Sequence, residues 1–163
     1  LHFKWKDLLD KQEIIAYLAG FFEGDGSIMI FKSPPRGQGK SPAYRLVLTM
    51  TNTNVQVLRL AQKFYGGRIE GPFTRGNRWR PSFRWELDGE NCVPFLSDIA
   101  PYIQTKHGQI QIAFKFLAQI RNCSTASRGK GYGSNPLSDS EIQARESLYL
   151  QMKHLNQRGT SNA

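Results

Sequence analysis

The sequence predicts an α+β domain whose antiparallel sheet is covered by helices on one face. Three observations lead there. The apolar residues repeat with a helical period and then alternate, do both again, and end in a purely helical run. Glycine, proline or a capping residue stands at most of the switches. The positive charge is concentrated on the stretch that contains the alternating segments.

Asp10 to Glu23 reads as the first helix, with Asp10 as N-cap, Glu13 completing a capping box, and Gly24 and Gly26 as the stop. From Ser27 the pattern alternates, with Ile28, Ile30 and Lys32 opposite Ser27, Met29 and Phe31, as a strand does. A loop rich in Pro, Gly and Lys, Ser33 to Pro42, leads to a second strand over Tyr44 to Thr51. One side of that strand carries Tyr44, Leu46, Leu48 and Met50, the other Arg45, Val47, Thr49 and Thr51. Asn54 caps a helix to about Tyr65 with the stripe Val57, Leu58, Ala61 and Phe64, and Gly66-Gly67 ends it.

Arg68–Thr74 and Arg78–Leu87 read as a hairpin turning near Gly76-Asn77. Its second arm sorts Trp79, Pro81, Phe83, Trp85 and Leu87 to one face and Arg78, Arg80, Ser82, Arg84 and Glu86 to the other. Helices follow at about Asn91–Ala100, Gly108–Arg121 and Ser138–Asn156, the last two separated by the Gly/Ser-rich Ser124–Asn135. The element order is αββαββα with extra C-terminal helices. A single domain is expected over 1–163, with a core over about 10–121 and a helical extension over about 136–157.

The 163 residues, 39% of them hydrophobic, are enough to build a core, which excludes wholesale disorder. A formal charge of +9 asks for a polyanionic partner, nucleic acid before anionic membrane. Cys92 and Cys123 are too few for a disulfide framework, and His2, His107 and His154 lack metal-ligand spacing. No apolar run is long enough for a membrane span, and no signal-peptide pattern opens the chain. The first residue is Leu1 and not Met, as expected of a trimmed chain or a piece of a longer reading frame. Eleven of the 22 basic residues fall between Gly26 and Trp85, against the single acid Glu70. The expected result is one anion-binding face, made of Arg45, Thr49, Thr51, Arg78, Arg80, Ser82 and Arg84. A twisted antiparallel ribbon of that kind can lie in the DNA major groove, with Arg reading guanine. A solvated sheet face that keeps the protein soluble is the plainer alternative.

The end of the first helix carries the chemistry. Ala16, Gly20 and Gly24 recur every fourth residue and leave one helix face almost bare. Glycine within a helix costs about 1 kcal/mol relative to alanine. Close approach of another helix gives a reason to accept that cost, and the same helix of a second copy is the partner expected. The helix also ends in acids, Glu23 and Asp25, where cations are usually preferred. A carboxylate beside free last-turn carbonyls suits a hard cation such as Mg²⁺; a glycine-stopped helix with solvent-facing acids fits the same spacing. Two residues apart, the acids cannot share a helix face, so one is expected to serve the site and the other to pack or cap.

Leu18-Ala19-Gly20-Phe21-Phe22-Glu23-Gly24-Asp25-Gly26, flanked by Tyr17 and Ser27, resembles the signature of the LAGLIDADG homing endonucleases. The element order and Gly66-Gly67 match one repeat of that family over about residues 10–120. The resemblance implies a saddle-shaped sheet that straddles DNA, with two motif helices side by side at its base. One motif per chain implies a homodimer through Ala16, Ala19, Gly20 and Gly24, acting on a long, roughly palindromic site. It further implies Asp25 as metal ligand, helped by the Gly24 carbonyl, with Mg²⁺ as cofactor and Mn²⁺ able to substitute. Glu23, where the family usually has Asp, takes a structural role. Asn52 matches the polar amide that orients solvent near the metal, although Gln is common there. Lys106 matches the basic residue that stabilises charge at the cut.

The implied activity is metal-dependent phosphodiester hydrolysis of both strands, leaving short 3′ overhangs, in the service of intron mobility. Lys32, Ser33, Arg36, Gln38 and Lys40 from the first loop would contact DNA with Arg45, Thr49, Arg75, Arg78, Arg80, Ser82 and Arg84 from the strands. Alternatives on the same fold are an intron maturase with intron RNA as partner, a non-cutting DNA-binding regulator, and one half of a longer two-repeat monomer. No membrane partner is expected, since the charge lies on strands and not on an amphipathic helix. The resemblance places the protein inside the compartment that holds intron-bearing DNA, an organelle or a prokaryotic cytoplasm, and not outside the cell.

Overall fold

A computed structural model describes residues 10–35, 40–74, 76, 78–123 and 137–157. The elements are α1 (Lys11–Asp25), β1 (Gly26–Ser33), β2 (Ala43–Asn52), α2 (Val55–Tyr65), β3 (Arg68–Phe73), β4 (Ser82–Asp88), α3 (Cys92–Ile99), α4 (His107–Asn122) and α5 (Asp139–Leu155). The four strands form one sheet in the order β1-β2-β4-β3. β3 and β4 pair antiparallel, Arg68 opposite Glu86 and Glu70 opposite Arg84, with a bulge between Glu70 and Phe73. The predicted α+β class and element order are the observed ones.

The described residues pack as two compact units: those within 10–27, 48–87 and 91–107 form one, and those within 28–47, 88–90 and 108–157 form the other. In the first unit, α1 begins at the predicted capping box, in which Asp10 and Glu13 each bond the other's backbone N–H at 2.8 Å. Ile14, Ile15, Leu18, Ala19 and Phe22 form its buried face. The ring of Phe95 on α3 is met edge-on by Phe22, Tyr65 and Trp85, at centroid distances of 5.2, 5.0 and 5.1 Å. The polar atoms of these aromatics are satisfied: Trp85 Nε1 donates to the Gly66 carbonyl at 2.8 Å, and the Tyr65 hydroxyl to Asp98 at 2.9 Å. Gly67 holds φ at +83° against β4, where a Cβ would run into the Glu86 carbonyl.

In the second unit, α5 starts at a capping box between Ser138 and Glu141. Its Glu146 pairs with the Lys32 ammonium at 2.8 Å and accepts from the Tyr44 hydroxyl. The bond and charge of Lys32 and the bond from Tyr44 outweigh burial and hold the Glu146 carboxyl below the usual glutamate range. Desolvation and the same carboxylate push Tyr44 up to about 12. The Asn156 side-chain amide donates to the Ile28 carbonyl at 2.8 Å, which ties the end of α5 to β1.

The structure corrects the predicted second arm of the hairpin. β4 begins at Ser82, so Arg78, Trp79 and Arg80 belong to the preceding connection and not to the strand. The reason is Pro81, which has no N–H to give to a ladder. Trp79, sorted with Trp85 and Leu87 to the face opposite the arginines, is 68% exposed. Val47, expected on the outer side of β2, is fully buried, like its neighbours Leu46 and Leu48.

Two outcomes follow from this packing. Phe95→Ala removes the ring on which three others converge and should cost about 3–5 kcal/mol; the check is the midpoint and slope of urea unfolding. Glu146 has a depressed folded-state pKa, so its contribution is present above the unfolded value of 4.5 and is lost as pH falls through the folded one. Stability should therefore fall more steeply with acid below about pH 4.5 in the parent than in Glu146→Gln. Parallel acid limbs in the two urea-midpoint profiles would contradict that assignment.

Candidate active site at the end of the first helix

The last turn of α1 contains no basic residue. Its cation comes from elsewhere: Lys106, just before α4, donates from Nζ to the Glu23 carbonyl, as the helix C-terminus favours. The Glu23 carboxylate accepts the backbone N–H groups of Gln104 at 2.8 Å and Thr105 at 2.7 Å, and the Thr105 hydroxyl. Partial burial pushes the Glu23 carboxyl up. The bonds from Thr105 and Gln104, with the Lys106 charge, more than offset this and hold it below the usual range.

Asp25, the final residue of α1, is exposed. Its Oδ2 accepts from the Asn52 side-chain amide at 2.7 Å. The Asn52 Oδ1 accepts the Asn54 N–H at 2.7 Å, which leaves only the NH₂ group to face the carboxylate. Asn54 in turn caps α2 through the Gln56 N–H at 3.0 Å. Asn52 thus reaches Asp25 despite being a methylene shorter than Gln. The two acids divide as the spacing predicts: Glu23 ties α1 to a loop, and Asp25 faces outward.

The helix-to-strand junction is pinned sterically. The Gly26 N–H closes α1 on the Phe22 carbonyl, and a Cβ at Gly26 would overlap the Phe22 ring. Gly20 and Gly24 are different, since a Cβ at either would meet nothing within 4 Å. Of the predicted interface residues, Gly20 and Gly24 are exposed and Ala16 is half-buried. Ala19 must be withdrawn from that set, because it is fully buried in the protein's own core and has no surface to offer a second copy.

The donors at the candidate metal site are hard oxygens: the Asp25 carboxylate and the main chain at Gly24. That chemistry fits Mg²⁺ or Ca²⁺ better than a softer ion. Among the described residues no three His, Cys, Asp or Glu side chains converge.

The predicted DNA contacts separate into groups. Lys32 is exposed near the end of β1; its ammonium pairs with Glu146 and lies 5.9 and 5.8 Å from the ring centroids of Tyr44 and Tyr149. Arg45 on β2 pairs with Asp88 at 3.2 Å. Arg84 on β4 lies over the Phe73 ring at 5.3 Å. Ser33, Thr49 and Ser82 are half-buried on their strands, and Lys40, Arg78 and Arg80 are exposed in connections. Arg36, Gln38 and Arg75 lie outside the described residues. Arg59 and Lys63 are on α2, so the basic segment is not one continuous face.

Sequence reasoning missed the partners of Arg68 and of Glu23 and the exposure of Trp79. Arg68 bonds Glu86 at 2.5 Å and Glu70 at 3.0 Å, and only the strand register could have revealed that. The contacts of Gln104 and Thr105 with Glu23 span more than 80 residues and leave no local pattern. The exposure of Trp79 was signalled by Pro81.

No protein-family model and no curated protein matches the chain. Solved structures do. The homing endonuclease I-CvuI, in complex with its target in the presence of calcium, has a TM-score of 0.68 at 20% identity, over 93% of this chain and 87% of its own. The archaeal intron-encoded homing endonuclease I-Vdi141I, complexed with DNA, has a TM-score of 0.68 at 17% identity, over 91% and 87%. The meganuclease I-SmaMI bound to DNA has a TM-score of 0.66 at 20% identity, over 85% of this chain and 44% of its own. With, among the described residues, five helices and a four-stranded antiparallel sheet that match these structures over most of its length, this chain has the fold of the LAGLIDADG homing endonucleases.

Proposed function

We propose that the protein is a single-motif LAGLIDADG homing endonuclease, a homodimer that cuts both strands of a long, pseudo-palindromic double-stranded DNA site. The observation that carries this reading is the outward-facing Asp25 carboxylate, oriented by Asn52, on the same last turn of α1 whose Glu23 carbonyl accepts the Lys106 ammonium. The likeness to endonucleases solved on DNA, and the motif itself, point the same way. Cleavage with short 3′ overhangs and a role in intron mobility belong to the same proposal.

Each residue has a chemical task. Asp25, with the Gly24 carbonyl, would hold a divalent ion, Mg²⁺ first and Mn²⁺ as a substitute. When bound, that ion supplies an activated water and neutralises charge on the phosphate and the leaving 3′ oxygen. Asn52 fixes the orientation of the carboxylate through its own bond to the Asn54 N–H. Lys106 spends one ammonium donor on the Glu23 carbonyl and keeps the others for phosphate oxygens. Arg78 and Arg80 flank the exposed Trp79, and with Lys40 they would neutralise phosphates in a salt-dependent way. Arg84, Arg45 and Thr49 on the strands are the candidates for base edges.

A second motif helix accounts for the glycines. At Gly20 and Gly24 the protein's own packing leaves room for a side chain, yet both positions forgo the roughly 1 kcal/mol of helix propensity that alanine would add. Approach of another backbone from outside the chain supplies the missing reason.

Asp25→Asn should abolish cutting of a cognate duplex while DNA affinity stays within about tenfold, because Asp25 serves the ion and not the bases. Full-rate cutting by that variant would refute the site. Gly20 is exposed and a Cβ there meets nothing within 4 Å, so Gly20→Leu should fold and sediment as a monomer. A dimer of unchanged dissociation constant would refute the interface.

A further inference from the structure

The contacts of Glu23 exceed what a helix end needs. Its carboxylate gathers three donors: the N–H groups of Gln104 and Thr105 and the Thr105 hydroxyl. Those atoms belong to the two residues that immediately precede Lys106. The carbonyl of the same Glu23 accepts the Lys106 ammonium. One residue therefore holds Lys106 at both ends, by the backbone that leads into it and by the charged tip. Glu23 is also two residues before Asp25 on the same helix turn. We infer that Glu23 is the positioning residue for Lys106, setting its ammonium in register with the Asp25 carboxylate. The inference rests on the endonuclease reading above and assigns a role in rate to an acid that the sequence marks only as structural.

Glutamate suits the task for a stated reason. A carboxylate offers two oxygens with about four acceptor sites and no hydrogen. It can take three converging donors, which bond a charged acceptor more strongly than a neutral one. Glutamine would accept at one oxygen and turn its own NH₂ against a remaining N–H. The loop would then lose a bond and gain a donor–donor clash, and the start of the Lys106 side chain would shift. A displacement on the order of 1 Å is enough to lower the rate of a positioned reaction about 10²-fold. Thr105→Val approaches the same contact from the loop side, because it keeps the side-chain shape and removes the hydroxyl donor.

The test is single-turnover cleavage of a cognate duplex by the full chain, with DNA affinity measured separately in Ca²⁺. Glu23→Gln should cut roughly 10- to 100-fold more slowly with affinity within about threefold. Thr105→Val should cut about 3- to 10-fold more slowly, and Glu23→Asp, which keeps the charge, should recover part of the Glu23→Gln loss. In a Lys106→Ala background the Glu23→Gln penalty should shrink to under about threefold, since coupled residues are non-additive. In protein without DNA or metal, Glu23→Gln should also speed hydrogen exchange at the Gln104 and Thr105 amides. A purely structural Glu23 would lower stability and leave the rate of the folded fraction unchanged. An undiminished Glu23→Gln penalty in the Lys106→Ala background, or parent-like rates in both single variants, would overturn the inference. A parent protein that binds DNA and never cuts it would overturn the endonuclease reading instead, and this inference with it.

Discussion

Everything of functional interest depends on how α1 ends. A helix of this kind leaves carbonyls pointing out of its last turn, and here that turn also carries two negative side chains. Three constraints make the ending stable. Lys106 brings the missing positive charge to the Glu23 carbonyl. Glu23 binds a loop from more than 80 residues away. Gly26 lets the chain turn past the Phe22 ring into β1, where no larger residue fits. With those in place, Asp25 is left exposed but not free, because Asn52 fixes one of its oxygens. The anionic end is a consequence of tertiary contacts, since local helix physics would select against it.

The motif, the caps and the element order were legible because each depends on neighbours within a few residues. Asp10 with Glu13, Asn54, and Ser138 with Glu141 behave as caps in the structure as their spacing implies. The divergence of Glu23 and Asp25 was legible too, since residues two apart on a helix point in different directions. What sequence alone could not supply was the partner of each. Thr105 and Lys106 meet Glu23 only after α1, α3 and the turn before α4 have packed.

Charge counting located the basic residues along the chain but not their partners. Counting basic residues between Gly26 and Trp85 treats them as one face, but Lys32 pairs with Glu146 of α5. The cross-strand register sets Arg68 against Glu86, and Asp88 meets Arg45. Pro81 shortens β4 and moves Arg78 and Arg80 into a connection beside an exposed tryptophan. The strands therefore present mixed charge, with Arg45 and Arg68 paired to acids, while Lys40, Arg78 and Arg80 lie exposed in connections. That division suits bases read from strands whose guanidinium groups are held in place, and phosphates held from the loops.

The most direct measurement is cleavage selection from a randomised double-stranded DNA library with Mg²⁺, run beside the same reaction in EDTA. The account predicts recovery of one long pseudo-palindromic site, cut on both strands and only when metal is present. DNA or structured RNA bound tightly with no cutting under either condition would contradict it, and would leave the Asp25–Asn52 pair without the catalytic role assigned to it.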